Sequence, residues 1–467
     1  MQKKVSLSFI VVLGSMLFAL FFGAGNLIFP PMLGQMAGEN LWSANAGFLV
    51  TGVGLPLLAV AAFVFSGERD LRSLASRVHP IFGVVFAAAL YLAIGPFFAM
   101  PRTGTVSFEI GFRPLLPEGS QTVGLAIFTI IFFALSCLLA LNPSRIIDVV
   151  GKVLTPLMLI FIAVLIGAAI IYPIAPFGTP DESYAANAFF KGFQEGYLTL
   201  DALAATIFGI IVVNALKDSG VKKRGELVAA CIKAAVIAAI LLAIIYTALA
   251  YIGASSAGGL GVLENGAAVL AATSAHYFGA YGSILLALIV TMACITTSVG
   301  LITSCAAFFH SLFPKVSYKK FAVLMSAFSA VVANIGLAQL IAVSVPVLMV
   351  LYPMVIVLVV LTFLHPLFKG KALVYQGAML LTFLVSLFDG FAAADIKFTF
   401  VTSLFSATLP LYEVGLGWLL PAVIGALAGA LIAQLMGKSA RTYDSAALAH
   451  RSVGTSSKAD SSMSAGD

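Results

Sequence analysis

The sequence predicts an all-α polytopic membrane protein of about twelve transmembrane helices. Three observations carry that expectation. The chain is 61% hydrophobic and only 9% charged, whereas a soluble domain carries about 25% charged residues. Apolar runs of about 20 residues, the length a helix needs to cross the hydrocarbon, recur along the chain. The basic residues fall unevenly between the loops that join those runs. A transmembrane barrel would instead show weaker, alternating segments of about ten residues.

The runs lie at about 9–33, 41–66, 81–108, 121–141, 150–173, 188–216, 227–253, 278–311, 320–337, 340–364, 374–394 and 416–436. The first follows two lysines, as a signal peptide does, but it is long, lacks a clear cleavage site and continues into a glycine-rich stretch. It is read as segment one. With the N-terminus inside, Arg102, Arg113, Lys191 and Lys397 fall outside, and Lys233 lies near the inner end of segment seven. The other twenty Lys and Arg fall on inner loops and tails. That bias predicts cytoplasmic N- and C-termini and an even number of crossings. It also accounts for the net charge of +6 through topology and contact with membrane lipids, with no nucleic-acid partner required.

Residues 1–436 are expected to form one membrane domain, and 437–467 a cytoplasmic disordered tail rich in Ser, Ala and Gly. The outer loops at about 174–187 and 395–415 have room for short structure. The four cysteines all fall in apolar runs and show neither metal-ligand spacing nor a disulfide framework. No P-loop appears. The five histidines are scattered, and no nucleophile–base set can be drawn, so the sequence does not predict an enzyme. It suggests no cofactor and no obligate protein partner.

Segment one contains "FALFFGAGNLIFPPML" (18–33). Gly23, Ala24, Gly25 and Asn26, followed by Pro30 and Pro31, predict a break in the helix. Irregular backbone at membrane depth is tolerated where it is buried in protein or lines a cavity. Carbonyls freed there can coordinate a cation, and freed N–H groups can hold a carboxylate. The Asn26 side-chain oxygen is a further hard ligand. The alternative is a packing kink.

Segment six contains "QEGYLTLDALAATIFG" (194–209), where Gly196, Thr199 and Asp201 interrupt the apolar run. Five crossings separate the two breaks, so the second unit starts from the opposite side, as in a 5+5 inverted repeat with broken helices one and six. Repeat one would cover about 9–173 and repeat two about 188–364. Asp201 is an ionisable group inside a membrane segment, a common mark of a site or pathway. It would neutralise an ammonium, a bound cation or a proton. The alternative places it at the outer interface.

Segment eight contains "MACITTSVGLITSCAAFF" (292–309). Thr296 and Thr297, with the carbonyl of Ala293, offer three hard oxygens to a cation, or serve as packing hydroxyls. Segment three contains "YLAIGPFFAMPRTGTVSFEIG" (91–111). There Phe97 and Phe98 are candidates to line an apolar pocket. Arg102 and Glu109 are read either as interface residues or as an outer gate pair.

The stretches "FFGAGNLIFPPMLG", "GLPLLAV", "LASRVHPIFG", "YLAIGPFFAMPRTGTVSFEIG" and "DALAATIFGIIVVNALK" resemble the bacterial branched-chain amino-acid carrier family, the LIV cation symporters, from about residue 5 to about 435. That family resembles the leucine-transporter fold, which implies that segments eleven and twelve (about 374–436) are additions to the two repeats. The resemblance implies import of Leu, Ile and Val with Na+ across the bacterial inner membrane. It makes "GAGN" the unwound stretch, with Asn26 a sodium ligand and Gly25 a contact of the substrate carboxylate. It makes Thr199, in "YLTLD", a ligand near substrate and ion. Ala293, Thr296 and Thr297, in "ACITT", become a second sodium site. The resemblance supplies no counterpart for Asp201. One rival keeps the fold and uses H+, with Asp201 as its carrier. An ion channel is a rival of another class, but no filter motif or repeated pore loop appears.

Overall fold

A computed structural model describes residues 6–436 apart from 69, 118, 142–154 and 222. Lys3, Lys4, Arg69, Arg145, Lys152, Lys222 and the expected tail at 437–467 lie outside the described residues. The described residues form helices and no strand, as an apolar chain must when every backbone N–H and C=O needs an internal partner.

Segment one is two helices, α1 (Leu7–Phe21) and α2 (Ala24–Ala37). Segment two is α3 (Leu41–Leu49) and α4 (Leu55–Ser66), joined through a π-helical turn at Val50–Gly54. A short helix, α5 (Leu71–Ala75), leads into segment three, α6 (Pro80–Leu92) and α7 (Ala99–Gly111). Segment four is α8 (Gln121–Ala140) and segment five is α9 (Thr155–Ile171). Next come α10 (Glu182–Ala185) and then α11 (Ala188–Glu195), which begins segment six; α12 (Asp201–Asp218) completes it.

Segment seven is α13 (Arg224–Leu260). The long α14 (Gly266–Leu312) is interrupted at Gly279, whose φ of 58° only glycine adopts freely, so segment eight proper follows that point. Then come α15 (Tyr318–Ala333), α16 (Leu337–Leu364), α17 (Ala372–Ala393), the short α18 (Thr399–Thr408) and α19 (Leu419–Leu435). The ninth and tenth runs are thus separate helices, parted at Asn334–Gly336.

By length and apolarity alone, seven helices among the described residues pass as spans. The pair Ala188–Thr199 and Asp201–Asp218, bent by 47°, makes an eighth. The shortfall from twelve has physical causes. Segment one is divided by its break, segment five adjoins residues 142–154, and α15 and α19 are 16 and 17 residues long. Each of the twelve predicted runs is helical within the described residues.

Segment one sits at the centre of the bundle. Its second half, α2, lies against α13 with almost no side chain between them: a methyl added at Gly253 would overlap the Pro31 carbonyl. Small residues at such crossings let backbones approach where lipid gives no hydrophobic drive. Segment three contains its own irregularity, a π-helical turn at Ala93–Phe97 with Gly95 outside helical geometry (φ −90°, ψ −124°).

Candidate functional site

The break in segment one is short and fully buried. Phe22 and Gly23 leave helical geometry (Gly23 φ −129°, ψ −160°), and the chain restarts at Ala24. The Asn26 Oδ1 accepts the Gly23 N–H at 2.9 Å, capping the new helix. Pro30 and Pro31 lie inside α2. Lacking N–H groups, they leave the carbonyls of Asn26 and Leu27 without their helical donors.

The break in segment six is tighter. After a 3₁₀ turn at Gly196–Thr199, Leu200 takes φ 67°, a left-handed conformation that costs a non-glycine residue about 1–2 kcal/mol. It turns the chain so that α12 begins at Asp201. The Thr199 hydroxyl donates to the Gly196 carbonyl at 3.0 Å and accepts the Asp201 N–H at 3.3 Å.

The two breaks meet. Asn26 Nδ2 donates to Asp201 Oδ2 at 2.7 Å, and the Tyr246 hydroxyl on α13 donates to the same oxygen at 2.5 Å. Asn26 Nδ2 also contacts the Tyr246 hydroxyl. Asp201 is 2% exposed, enclosed by protein. An acidic residue in the first turn of α12 is favoured by the helix dipole. Among the described residues no cationic side chain lies within 4.0 Å of its carboxylate.

Around this knot lies a small cavity of about 40 Å³. Its polar lining comprises Asn26, Arg102, Thr103, Thr199, Asp201 and Thr297, with Gly23, Ala24 and Gly25 at the break. Leu20, Phe21, Ile94, Ala204, Phe208 and Leu301 supply most of the apolar lining. Thr297 on α14 faces the break directly: a Cβ on Gly23 would lie 3.1 Å from its Oγ1. The Thr297 hydroxyl donates to the Ala293 carbonyl at 3.2 Å.

The structure therefore gathers Gly23, Ala24, Gly25, Asn26, Thr199, Asp201 and Thr297 in one place, with the Ala293 carbonyl one hydrogen bond away. It does not bring Thr296 there; that hydroxyl donates to the Met292 carbonyl at 2.9 Å on an exposed face. Nor does it bring Phe97, which is 39% exposed and packs on Phe328 with ring centroids 5.5 Å apart. Phe97 ends the π-helical turn, and the extra residue of such a turn rotates a helix by about 100°.

Arg102 and Glu109 do not pair. Glu109 accepts from Arg113 at 2.6 Å, and Arg113 also reaches Glu264 at 3.3 Å. Seven residues bring Arg102 and Glu109 to one face of α7 but separate them by about 10 Å along its axis. Arg102 instead points inward, 1% exposed, and lines the cavity. Tyr246 was missed by sequence reading. Its signal, one of two tyrosines in a long apolar run, does not reveal that it meets residues 220 and 45 positions away.

Comparison with known proteins agrees with this architecture. The structure of MhsT in complex with L-phenylalanine superposes with a TM-score of 0.54 at 16% identity, covering 92% of this chain and 99% of that one. Mhp1, a nucleobase-cation-symport-1 family transporter, superposes in a closed conformation with a TM-score of 0.63 at 12% identity, covering 94% of each chain. These likenesses show the leucine-transporter fold. The branched-chain amino acid permease BrnQ of Bacillus subtilis (strain 168) is 63% identical over 92% of this chain and 98% of its own length. The branched-chain amino acid transport system 2 carrier protein of Pseudomonas aeruginosa is 45% identical over 92% and 97%. BrnQ of Escherichia coli (strain K12) is 43% identical over 89% and 93%. The model of the family described as branched-chain amino acid transport protein matches residues 6–436. These relatives are permeases and carriers rather than enzymes, and the chain belongs to the branched-chain amino acid transport protein family.

Proposed function

We propose that this chain imports leucine, isoleucine and valine across the cytoplasmic membrane, driven by an inward sodium gradient, with both termini cytoplasmic. The observation that carries the reading is the cavity between the two breaks, lined by the first turn of α2, by Asp201 and by apolar side chains. The ammonium of an amino acid would meet Asp201, and its carboxylate would approach the first-turn N–H groups near Gly25. The branched side chain would lie among Ile94, Phe208 and Leu301. One methylene in such a pocket is worth only about 1–3 kcal/mol, so the three substrates would share the carrier. The cavity at about 40 Å³ has room for a few water-sized spheres, so entry of substrate would require the breaks to separate.

Sodium suits neutral, hard oxygens. The Thr297 hydroxyl and Ala293 carbonyl, beside the Gly23 break, offer them. Thr199 and the freed carbonyl of Asn26 are further candidates. The Asn26 side-chain oxygen is engaged by Gly23 N–H, so ligation through it would require that cap to open. A proton-coupled version draws on a separate observation: Asp201 is buried against two neutral side-chain donors, a setting in which a proton also satisfies the carboxylate.

Counterflow tests the substrate assignment without regard to the driving ion. Proteoliposomes loaded with unlabelled leucine should accumulate external labelled leucine. Isoleucine and valine should compete, and lysine and glutamate should not. No counterflow with any of the three branched amino acids would refute the reading.

A further inference from the structure

Arg102 holds a full positive charge inside the bundle without a carboxylate. Among the described residues none comes within 4.0 Å of its guanidinium. Its Nη1 donates to the Leu198 carbonyl at 2.6 Å and its Nη2 to the Ser344 hydroxyl at 3.3 Å. The Phe29 ring lies 5.0 Å from Cζ. Its Nε is buried with no hydrogen-bond partner. Burying a charge is costly unless it is paired, and a guanidinium fork matches a carboxylate in two parallel bonds.

The guanidinium is also placed for such a partner. It lines the same cavity as Asp201. A Cβ on Gly25 would lie 3.4 Å from Nη1 and 3.3 Å from the Thr199 carbonyl oxygen, so the guanidinium sits against the first turn of α2. That turn presents N–H groups without intrahelical partners. A cation, a helix N-terminus and one carboxylate, all lining one cavity, together match an amino-acid zwitterion.

We propose that Arg102 is the receptor for the substrate carboxylate, opposite Asp201, which takes the ammonium. The assignment rests on the reading that an amino acid occupies this cavity. Binding would exchange a neutral acceptor, the Leu198 carbonyl, for a charged one. Leu198 lies in the 3₁₀ turn that makes the break of segment six, so the exchange would release that break as substrate engages.

The test compares leucine with leucinol, in which the carboxylate is replaced by a hydroxymethyl group, on the purified full-length protein. Binding is measured for wild type, Arg102→Gln and Arg102→Lys. Wild type should prefer leucine by about ten- to a hundredfold, the range for a hydrogen bond to a charged group. In Arg102→Gln the preference should collapse to within about threefold. Arg102→Lys, which keeps the charge and loses the fork, should fall between, and it carries the measurement if the glutamine variant does not fold. A variant that weakens leucine and leucinol equally would make Arg102 a tether of the Leu198 carbonyl and overturn the assignment. So would a wild type that binds leucine without preferring it to leucinol. A wild type that binds no branched amino acid would remove the import reading itself.

Discussion

Arg77 and Arg102 are both arginines buried in an apolar bundle, and they are treated differently. Arg77, 5% exposed, lies just beyond segment two and pairs with the buried Glu68 at 3.1 Å. It also donates to the Ser66 carbonyl at 3.3 Å and to the Tyr375 hydroxyl at 3.4 Å. Its charge is answered within the chain, tying segment two, the loop after it and α17 together. Arg102 is more deeply buried and meets a carbonyl, a hydroxyl and an aromatic face. A buried charge paired inside the fold serves the fold. One left to neutral acceptors beside a cavity is poised for a charge from outside.

The comparison can be broken most sharply at Arg77. Replacing it by Met leaves Glu68 buried and alone, a loss of about 3–5 kcal/mol. The double variant with Glu68→Gln should recover much of that, as read by thermal unfolding in detergent. Leucine affinity in the protein that survives should be unchanged. If Arg77→Met instead raised the KM for leucine with no loss of stability, the division between the two arginines would be wrong.

The next effect in size concerns the partner of Arg102 across the cavity. Asp201→Asn keeps the shape and the contacts with Asn26 and Tyr246 but removes the charge. Uptake of leucine should fall by about a hundredfold or more, since a charged hydrogen bond and its Coulomb term are lost together. Full coupled uptake by this variant would exclude Asp201 from both the ammonium and the proton roles.

A smaller effect separates two adjacent threonines. Thr297→Ala should raise the sodium concentration for half-maximal uptake by about tenfold, the scale of one oxygen contact. Thr296→Ala should leave it unchanged. Equal effects would mean that the rotation of α14 differs from that described. The smallest effect lies just after α16, where the His365 ring meets the Tyr375 hydroxyl at 2.8 Å. Burial, and then the Arg77 charge, hold the pKa of His365 below its ordinary 6.5. The unfolded chain therefore binds the proton more readily, and the contribution of this group is present above about pH 6.5 and declines as pH falls through that value. His365→Gln should reduce the loss of thermal stability between pH 7 and pH 5, and an unchanged profile would exclude the group.

Much of the architecture was legible in the sequence because the bilayer sets a length. Runs such as 121–141 and 374–394 predict helices, and the glycines and prolines around "GAGN" predict a break or a kink. Asp201 announced itself by its charge. Arg102 did not reveal its direction, because an arginine near the outer end of an apolar run satisfies the interface reading equally well. Its inward direction is fixed by hydrogen bonds to Leu198 and Ser344 in segments six and ten, residues far from it in the chain. Phe97 went astray because a π-helical turn leaves no clear mark beyond "IGP". Tyr246 depends on the register between segments seven, one and six, a relation among distant residues that one sequence does not display.

In this reading the paired breaks hold an amino acid and a driving cation together. Uptake of labelled leucine into proteoliposomes, with sodium outside in one arm and potassium in the other at equal pH and membrane potential, tests it most directly. The account predicts accumulation with sodium and none above background with potassium. Equal uptake in both salts, rising with an inward proton gradient, would contradict sodium coupling and assign the driving role to Asp201.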